Sequence, residues 1–273
     1  MLNRRQLSKL VIGGISLSSS RARAWRRGGS YSASANQFFD RLITPPATAY
    51  LYDSLISSLV ASGAWALLDV LNVAGAPDSG TSLVNLKQSS FQATITETAG
   101  IPTFTPNVGW NGGGSPGQKC IDFHFNPSIA GGNYTQNNAM FFAWQIGGTQ
   151  ANEQIITDTS GGANVELWPK YSNGNTLWAI NGDGTEISAA QSADGSGLWV
   201  IQRTAANVCV AYNNDVLFQT SSNVSAALIN KDLQTNIGTN KIFAWGMGAP
   251  LSGSQRTSLF SGLQTIGRGI GAL

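Results

Sequence analysis

The sequence predicts an all-β protein, a two-sheet antiparallel sandwich with one short helix before the strands and one after them. Three observations predict it. From about Phe91 onward, apolar and polar residues alternate with a period of two in short runs. The runs are separated by Asn-Gly and Asp-Gly pairs that tolerate the positive φ of tight hairpins. Charged residues make up only 11% of the 273, with 32 glycines and abundant Ser, Thr and Asn. That balance suits an extracellular or virion β-protein kept soluble by amides and hydroxyls. The length is ample for one large domain.

The chain divides into three parts. Residues 1–24 carry Arg4, Arg5 and Lys9, a short apolar run Leu10–Leu17, and a small-residue site Ala22-Arg23-Ala24. This is the layout of a secretory signal, and the run is too short to span a bilayer as a helix. Asn3-Arg4-Arg5-Gln6-Leu7-Ser8-Lys9 resembles the twin-arginine export motif, with Asn3 and Leu7 in place of its commonest residues. The other reading is a retained basic arm that docks on an acidic partner or a neighbouring subunit. Residues 25–39 are a Gly/Ser-rich linker, basic at its start and aromatic at its end. Residues 40–273 form the domain.

Within the domain, Thr44-Pro45-Pro46 signals a helix start, and Tyr52, Leu55, Ile56, Leu59 and Val60 then fall on one helical face that Gly63 ends. Trp65–Val73 is apolar enough for a buried strand, with a second helical turn as the alternative. Strands are expected at Phe91–Thr96, Lys119–Phe125, Ala139–Ile146, Gln154–Asp158, Asn164–Trp168, Thr176–Asn181, Leu198–Thr204, Val208–Asn213, Val216–Thr220 and Lys241–Met247. Ser252-Gly253-Ser254-Gln255 is a capping box that opens a helix through about Leu263.

Removing residues 1–24 leaves 11 basic against 14 acidic side chains, a net charge of −3. A weakly acidic body argues against sequence-independent nucleic-acid binding. Cys120 and Cys209 either pair across a sheet or stay two small buried thiols; spacing alone does not supply the geometry. There is no Cys/His cluster with metal spacing and His124 is the one histidine, so no zinc site is expected.

The region from Asp40 to Leu273 resembles the concanavalin A-like (laminin-G-like) jelly-roll domains of phage and prophage tail, fibre and head-surface proteins. The segments that carry the resemblance are YLYDSLISSLVASGAWALLDVLNVAGAPDSGTSLVNLK, FTPNVGWNGGG, CIDFHFNP and IFAWGMGAPLSGSQRTSLFSGLQTIG, in that order. It implies a mostly antiparallel jelly roll with a short helix packed at its edge after the last strand. It implies surface attachment or carbohydrate recognition more than catalysis. Beside it, the retained-arm reading of residues 1–24 is narrowly preferred.

Glucanases on this fold carry acids spaced two apart on one strand. Glu97, Glu153, Glu166 and Glu186 have no such partner. Asp122 and His124 have the spacing, but a polar strand face with a hydrogen-bonded histidine accounts for them better than a catalytic role. No Gly-x-Ser-x-Gly elbow is present. No enzyme and no required cofactor is expected. Calcium at Asp183 or Asp194 is the weaker reading of loops whose Gly/Asp pairs are ordinary hairpin residues. Trp144, Trp199 and Trp245 belong in the core, whereas Trp110-Asn111 and Trp168 with Tyr171 lie beside loops where an aromatic face would stack on a sugar.

The expectation is a non-enzymatic virion structural, decoration or host-surface carbohydrate-binding module of a phage or prophage particle. It would be located on the virion surface, with other virion proteins or copies of itself as partners through residues 1–39. The alternative is a glycan-binding protein exported by the twin-arginine route to the periplasm or beyond; a glycan hydrolase ranks last. No membrane span is expected.

Overall fold

In the computed structural model, residues 30–96, 102–112, 121–147, 154–160, 163–190, 195–236 and 240–273 are described. Helix α1 (Ala33–Phe39) starts where the Ser32 hydroxyl accepts the Ala35 amide at 3.3 Å. It buries Phe38 and Phe39, with Phe38 tilted on Tyr52 at 5.5 Å between centroids. Residues 33–39 are therefore helix and not linker: a serine cap ahead of two phenylalanines gives this short segment both a start and a face to bury. Helix α2 (Ala49–Ala61) buries Tyr52, Leu55, Ile56 and Leu59 of the face read from the sequence, whereas Val60, read on the same face, is 48% exposed at its edge. One further turn, α3 (Ala64–Leu67), feeds β1 (Leu68–Val73), so the apolar Trp65–Val73 run divides between helix and strand. The short α4 (Ser79–Ser82) is capped by Asp78, whose carboxylate accepts the Thr81 amide at 2.8 Å.

The remaining strands are β2 (Thr94–Ile95), β3 (Thr103–Thr105), β4 (Gly109–Asn111), β5 (Ile121–Asp122), β6 (Ala139–Ile146), β7 (Gln154–Ser160) and β8 (Ala163–Trp168). They continue with β9 (Asn175–Gly182), β10 (Ile187–Ala190), β11 (Gly197–Ala205), β12 (Val208–Asn213), β13 (Val216–Ser221), β14 (Gln234–Asn236) and β15 (Lys241–Gly248), before helix α5 (Gly253–Ile270). One sheet runs β13-β12-β11-β6-β15-β4-β3, with β1 also paired to β15. The second runs β10-β9-β8-β7-β14-β5-β2. The pairings are antiparallel. The fold is the expected all-β antiparallel jelly-roll sandwich with flanking helices. β2 and β5 are shorter than their apolar runs because Phe91 and His124 take φ of 56° and 49°, which breaks the extended chain at those points.

Two cores share the first sheet. Phe141 of β6, Trp199 and Ile201 of β11, and Trp245 of β15 face inward onto Val165, Leu167, Trp178 and Ile180 of the second sheet. The alternate residues Met140, Phe142 and Trp144, with Leu198, Val200 and Phe243, face outward onto Phe38, Leu55, Leu259 and Leu263 of the helices. Strand β6 is thus buried on both faces, the reason its sequence AMFFAWQI is apolar almost throughout. Trp144 stacks on Phe260 of α5, with ring centroids 5.5 Å apart and planes within 7°. The C-terminal helix therefore lies across the outer face of the first sheet and not at its edge, where the resemblance put it. Gly246 permits the layering: a Cβ there would stand 2.4 Å from the Phe142 ring and 2.5 Å from the Val70 carbonyl oxygen. At the start of α5 the expected capping box is present, with the Ser252 amide donating to Gln255 Oε1 at 2.8 Å. Among the described residues no helix is long and apolar enough to cross a membrane.

The helix-side core draws only on residues of the helices, the first sheet and their loops. Among the described residues the outward face of the second sheet has no such helical cover, and it carries the candidate site.

Candidate functional site

Strand β8 alternates between the core and this outward face. Val165 and Leu167 point inward, so Asn164, Glu166 and Trp168 point outward in a line. Glu166, only 2% exposed, holds that line together. Its Oε1 accepts from Asn164 Nδ2 at 2.7 Å and its Oε2 from Trp168 Nε1 at 3.2 Å. The indole N–H is thereby committed, and the orientation of the half-buried ring is fixed from behind.

The chain then turns through 169–174. The Tyr171 amide donates to the Asn175 carbonyl at 2.7 Å, and the Gly174 amide donates to the Tyr171 carbonyl at 2.9 Å. Gly174 takes φ 82°, the left-handed residue that the Asn173-Gly174 pair promised. Thr176 Oγ1 fastens the loop base by donating to the Pro169 carbonyl at 2.9 Å. This geometry places the partly exposed Tyr171 edge-on to Trp168, with centroids 5.3 Å apart and planes at 83°. The result is an aromatic corner of set orientation beside a buried carboxylate.

The other aromatic candidate is placed differently. Trp110 is 7% exposed, tilted on Phe104 at 5.2 Å, and donates its indole N–H to Ser82 Oγ at 2.8 Å. Its faces are spent on packing in the inter-sheet core, which removes it as a stacking platform; Asn111 beside it is half-buried. Trp144, Trp199 and Trp245 are buried as expected.

Asp183 is exposed, and its Oδ1 accepts from Asn223 Nδ2 at 3.3 Å and from the Thr185 amide at 3.2 Å. The Thr185 bonds, helped by Asn223, hold its carboxyl below the usual range. It joins no convergent group of three acids or histidines among the described residues. Asp194 and Cys120 lie outside the described residues, and so does the choice between a Cys120–Cys209 pair and two separate thiols. Cys209 is buried, its Sγ 3.6 Å from the Asn223 carbonyl; burial pushes its thiol up, against the pull of Arg203.

Asp122 also points outward, since its neighbours Ile121 and Phe123 lie in the core. Register places Thr94, Asp122, Gln234, Thr157, Glu166 and Ala179 in one row across the second sheet. Asp122 and Glu166 are three strand spacings apart along it, about 14 Å. A glycosidase acid pair needs roughly 5–9.5 Å. The two acids do not form such a pair.

His124 leaves the strand at positive φ and folds back, its amide donating to Asp122 Oδ1 at 2.7 Å. Its Nε2 pairs with Thr94 Oγ1 at 2.8 Å. The fold adds Asp232, a residue that sequence spacing gives no means of linking to the Asp122–His124 pair.

In class, then, this is a two-sheet antiparallel β-sandwich whose outward sheet face carries a fixed aromatic corner and a separate carboxylate–histidine cluster. No family model matches the chain, and no curated protein matches it by sequence. Solved structures with a similar fold include the binding domain of botulinum neurotoxin serotype D, at 16% identity and a TM-score of 0.52, covering 75% of this chain and 52% of that one. A botulinum neurotoxin type C structure, whose cell entry is described as dependent on interaction with two ganglioside molecules, aligns at 15% identity and a TM-score of 0.53, covering 72% of this chain and 52% of that one. The chain spans about half the length of these solved chains, and the likeness is one of fold.

Proposed function

We propose that this chain is a non-enzymatic glycan-binding module that holds a sugar at the Trp168–Tyr171 corner. One observation carries the reading: a half-buried indole, locked by Glu166 and flanked edge-on by the partly exposed Tyr171, at the end of strand β8. Apolar sugar faces stack on such rings, while neighbouring amides and hydroxyls meet the sugar hydroxyls. The similar fold of a ganglioside-interacting neurotoxin structure is consistent with this reading.

The setting we propose is the surface of a phage or prophage particle, in decoration or host attachment, on the strength of the segment resemblance. Partners would be other virion proteins or further copies of this chain. Of residues 1–39, the stretch 33–39 is already packed on its own domain, which confines a partner-seeking arm to the residues before it. Export by the twin-arginine route to the periplasm or beyond is the alternative.

Screening the full chain on a glycan array, followed by titration of the best hit, tests the binding. Trp168→Ala and Tyr171→Ala should each weaken it more than about tenfold, the ~1–3 kcal/mol of a stacking contact. Tm should hold in Tyr171→Ala and fall in Trp168→Ala, which takes a donor from the buried Glu166, and no cleaved sugar should accumulate. Undiminished binding by Trp168→Ala would place the site elsewhere. Mass spectrometry of particles purified from the native source tests the setting: the chain should be found in them with residues 1–24 retained.

A further inference from the structure

We infer that Asp122, His124 and Asp232 form a binding site for a divalent transition-metal ion of the zinc class, on the β5/β14 side of the second sheet. His124 Nδ1 lies 3.5 Å from Asp122 Oδ1 and 3.5 Å from Asp232 Oδ2. All three ligand atoms lie within 4.8 Å of one another. Those separations exceed the usual hydrogen-bond range of about 2.7–3.2 Å. The two 3.5 Å separations from His124 match instead the edge of a tetrahedron: ligands about 2.0–2.1 Å from zinc stand about 3.4 Å from each other. A cation held among the three atoms would take each as a ligand and leave a fourth position to water.

The surroundings orient these ligands. Thr94 Oγ1 engages His124 Nε2, which leaves Nδ1 as the nitrogen facing the two carboxylates. Gln234 Nε2 donates to Asp122 Oδ2 at 2.9 Å, and the His124 amide fixes Oδ1. Each of these bonds tethers a ligand from behind, the arrangement by which metal sites set ligand direction. Gln234 Oε1 is buried and has no hydrogen-bond partner among the described residues, an unspent acceptor immediately beside the site. The side chains of His124 and Asp232 are 46% and 37% exposed, so an ion has a path in.

An imidazole nitrogen among two carboxylates favours a borderline ion such as Zn²⁺ over Ca²⁺, which prefers six to eight oxygens. The site is separate from the Trp168 corner, and its test does not depend on sugar binding.

His124, as the single histidine of the sequence, is its own reporter. Zinc chloride titrated into the chelator-treated, tag-free full chain should bind with one equivalent by calorimetry. It should also shift the His124 Nδ1 resonance in an ¹⁵N-edited imidazole spectrum. Asp232→Asn should retain Tm, because that side chain is partly exposed, and should weaken zinc binding more than about tenfold; His124→Gln should do the same. A His124 resonance unmoved by saturating zinc, or unchanged affinity in Asp232→Asn, overturns the site. So does calcium binding that persists in His124→Gln while zinc does not bind the unaltered chain.

Discussion

Arg203 has no exposed surface, yet four acceptors meet it. Its Nε donates to the Ile180 carbonyl at 2.8 Å, and Nη1 donates to the Ala206 and Asn223 carbonyls at 2.9 and 2.8 Å. Nη2 adds Asn223 Oδ1 at 3.1 Å. The fork joins β9, the β11–β12 turn and the segment after β13, all of which need backbone acceptors satisfied away from water. Arg203→Lys keeps the charge but cannot place donors at all four points. It should destabilise the fold by about 2–4 kcal/mol, read as a lower urea midpoint with unchanged slope. Trp168 was legible in the sequence because an aromatic just before a Pro- and Gly-containing turn sits at the end of a strand. Trp110 had the same signature, a Trp-Asn followed by glycines, and went into the core because Phe104 and Ser82 closed around it. Loop adjacency reads the same for both residues; which ring keeps an open face depends on neighbours distant in sequence. Asp232 was illegible for a related reason. The β5–β14 pairing that brings it to His124 also joins side chains 112 positions apart, Gln234 to Asp122.

At the scale of elements, the long strands were the legible ones. β6 and β12 occupy the expected bounds, and β8, β9, β11, β13 and β15 differ by a residue or two at their ends. The three- to four-residue strands β3, β4, β10 and β14 had too few positions to show a period. Helix α5 runs past the expected Leu263 because Ile266 and Gly267 are still buried. Its glycines look like interruptions, but Gly262 lies directly against Leu55 of α2. A Cβ there would lie 2.5 Å from Leu55 Cδ1, and Leu55 is itself only 1% exposed, with no room to retreat. Helix propensity alone gives Gly262→Ala a gain of about 1 kcal/mol. Overpacking should reverse the sign, for a net loss of about 1–2 kcal/mol in chemical denaturation. Combining Gly262→Ala with Leu55→Ala should cost less than the sum of the two single changes, since the smaller partner removes the clash.

For the whole molecule, the question is whether the two cores behave as one. Each holds a buried tyrosine. Tyr52 lies in the helix-side core, its hydroxyl without a partner among the described residues, and Tyr134 lies between the sheets, donating to Asn181 Oδ1 at 2.8 Å. Burial pushes both phenols well above the usual tyrosine range. Asp78 adds to the shift of Tyr52, whereas Arg203 and Asn181 oppose that of Tyr134. A folded-state value raised above the unfolded one contributes stability that is fully present below the unfolded value, about pH 10, and is lost as pH rises beyond it. Stability should therefore fall above about pH 10, with both phenols ionising only as near-UV circular dichroism disappears. Tyr52→Phe removes one contribution without breaking a hydrogen bond, so it should raise the alkaline midpoint. Tyr134→Phe gives up the Asn181 bond and should lower stability at neutral pH by about 1 kcal/mol. Because β6, β11 and β15 lend alternate residues to both cores, neither core can loosen without exposing the other face of the same strands. Far-UV and near-UV circular dichroism should then trace one coincident transition in every variant. Two separated transitions, with Tyr52→Phe moving only the helical one, would show that the helix layer unfolds on its own from the sandwich beneath it.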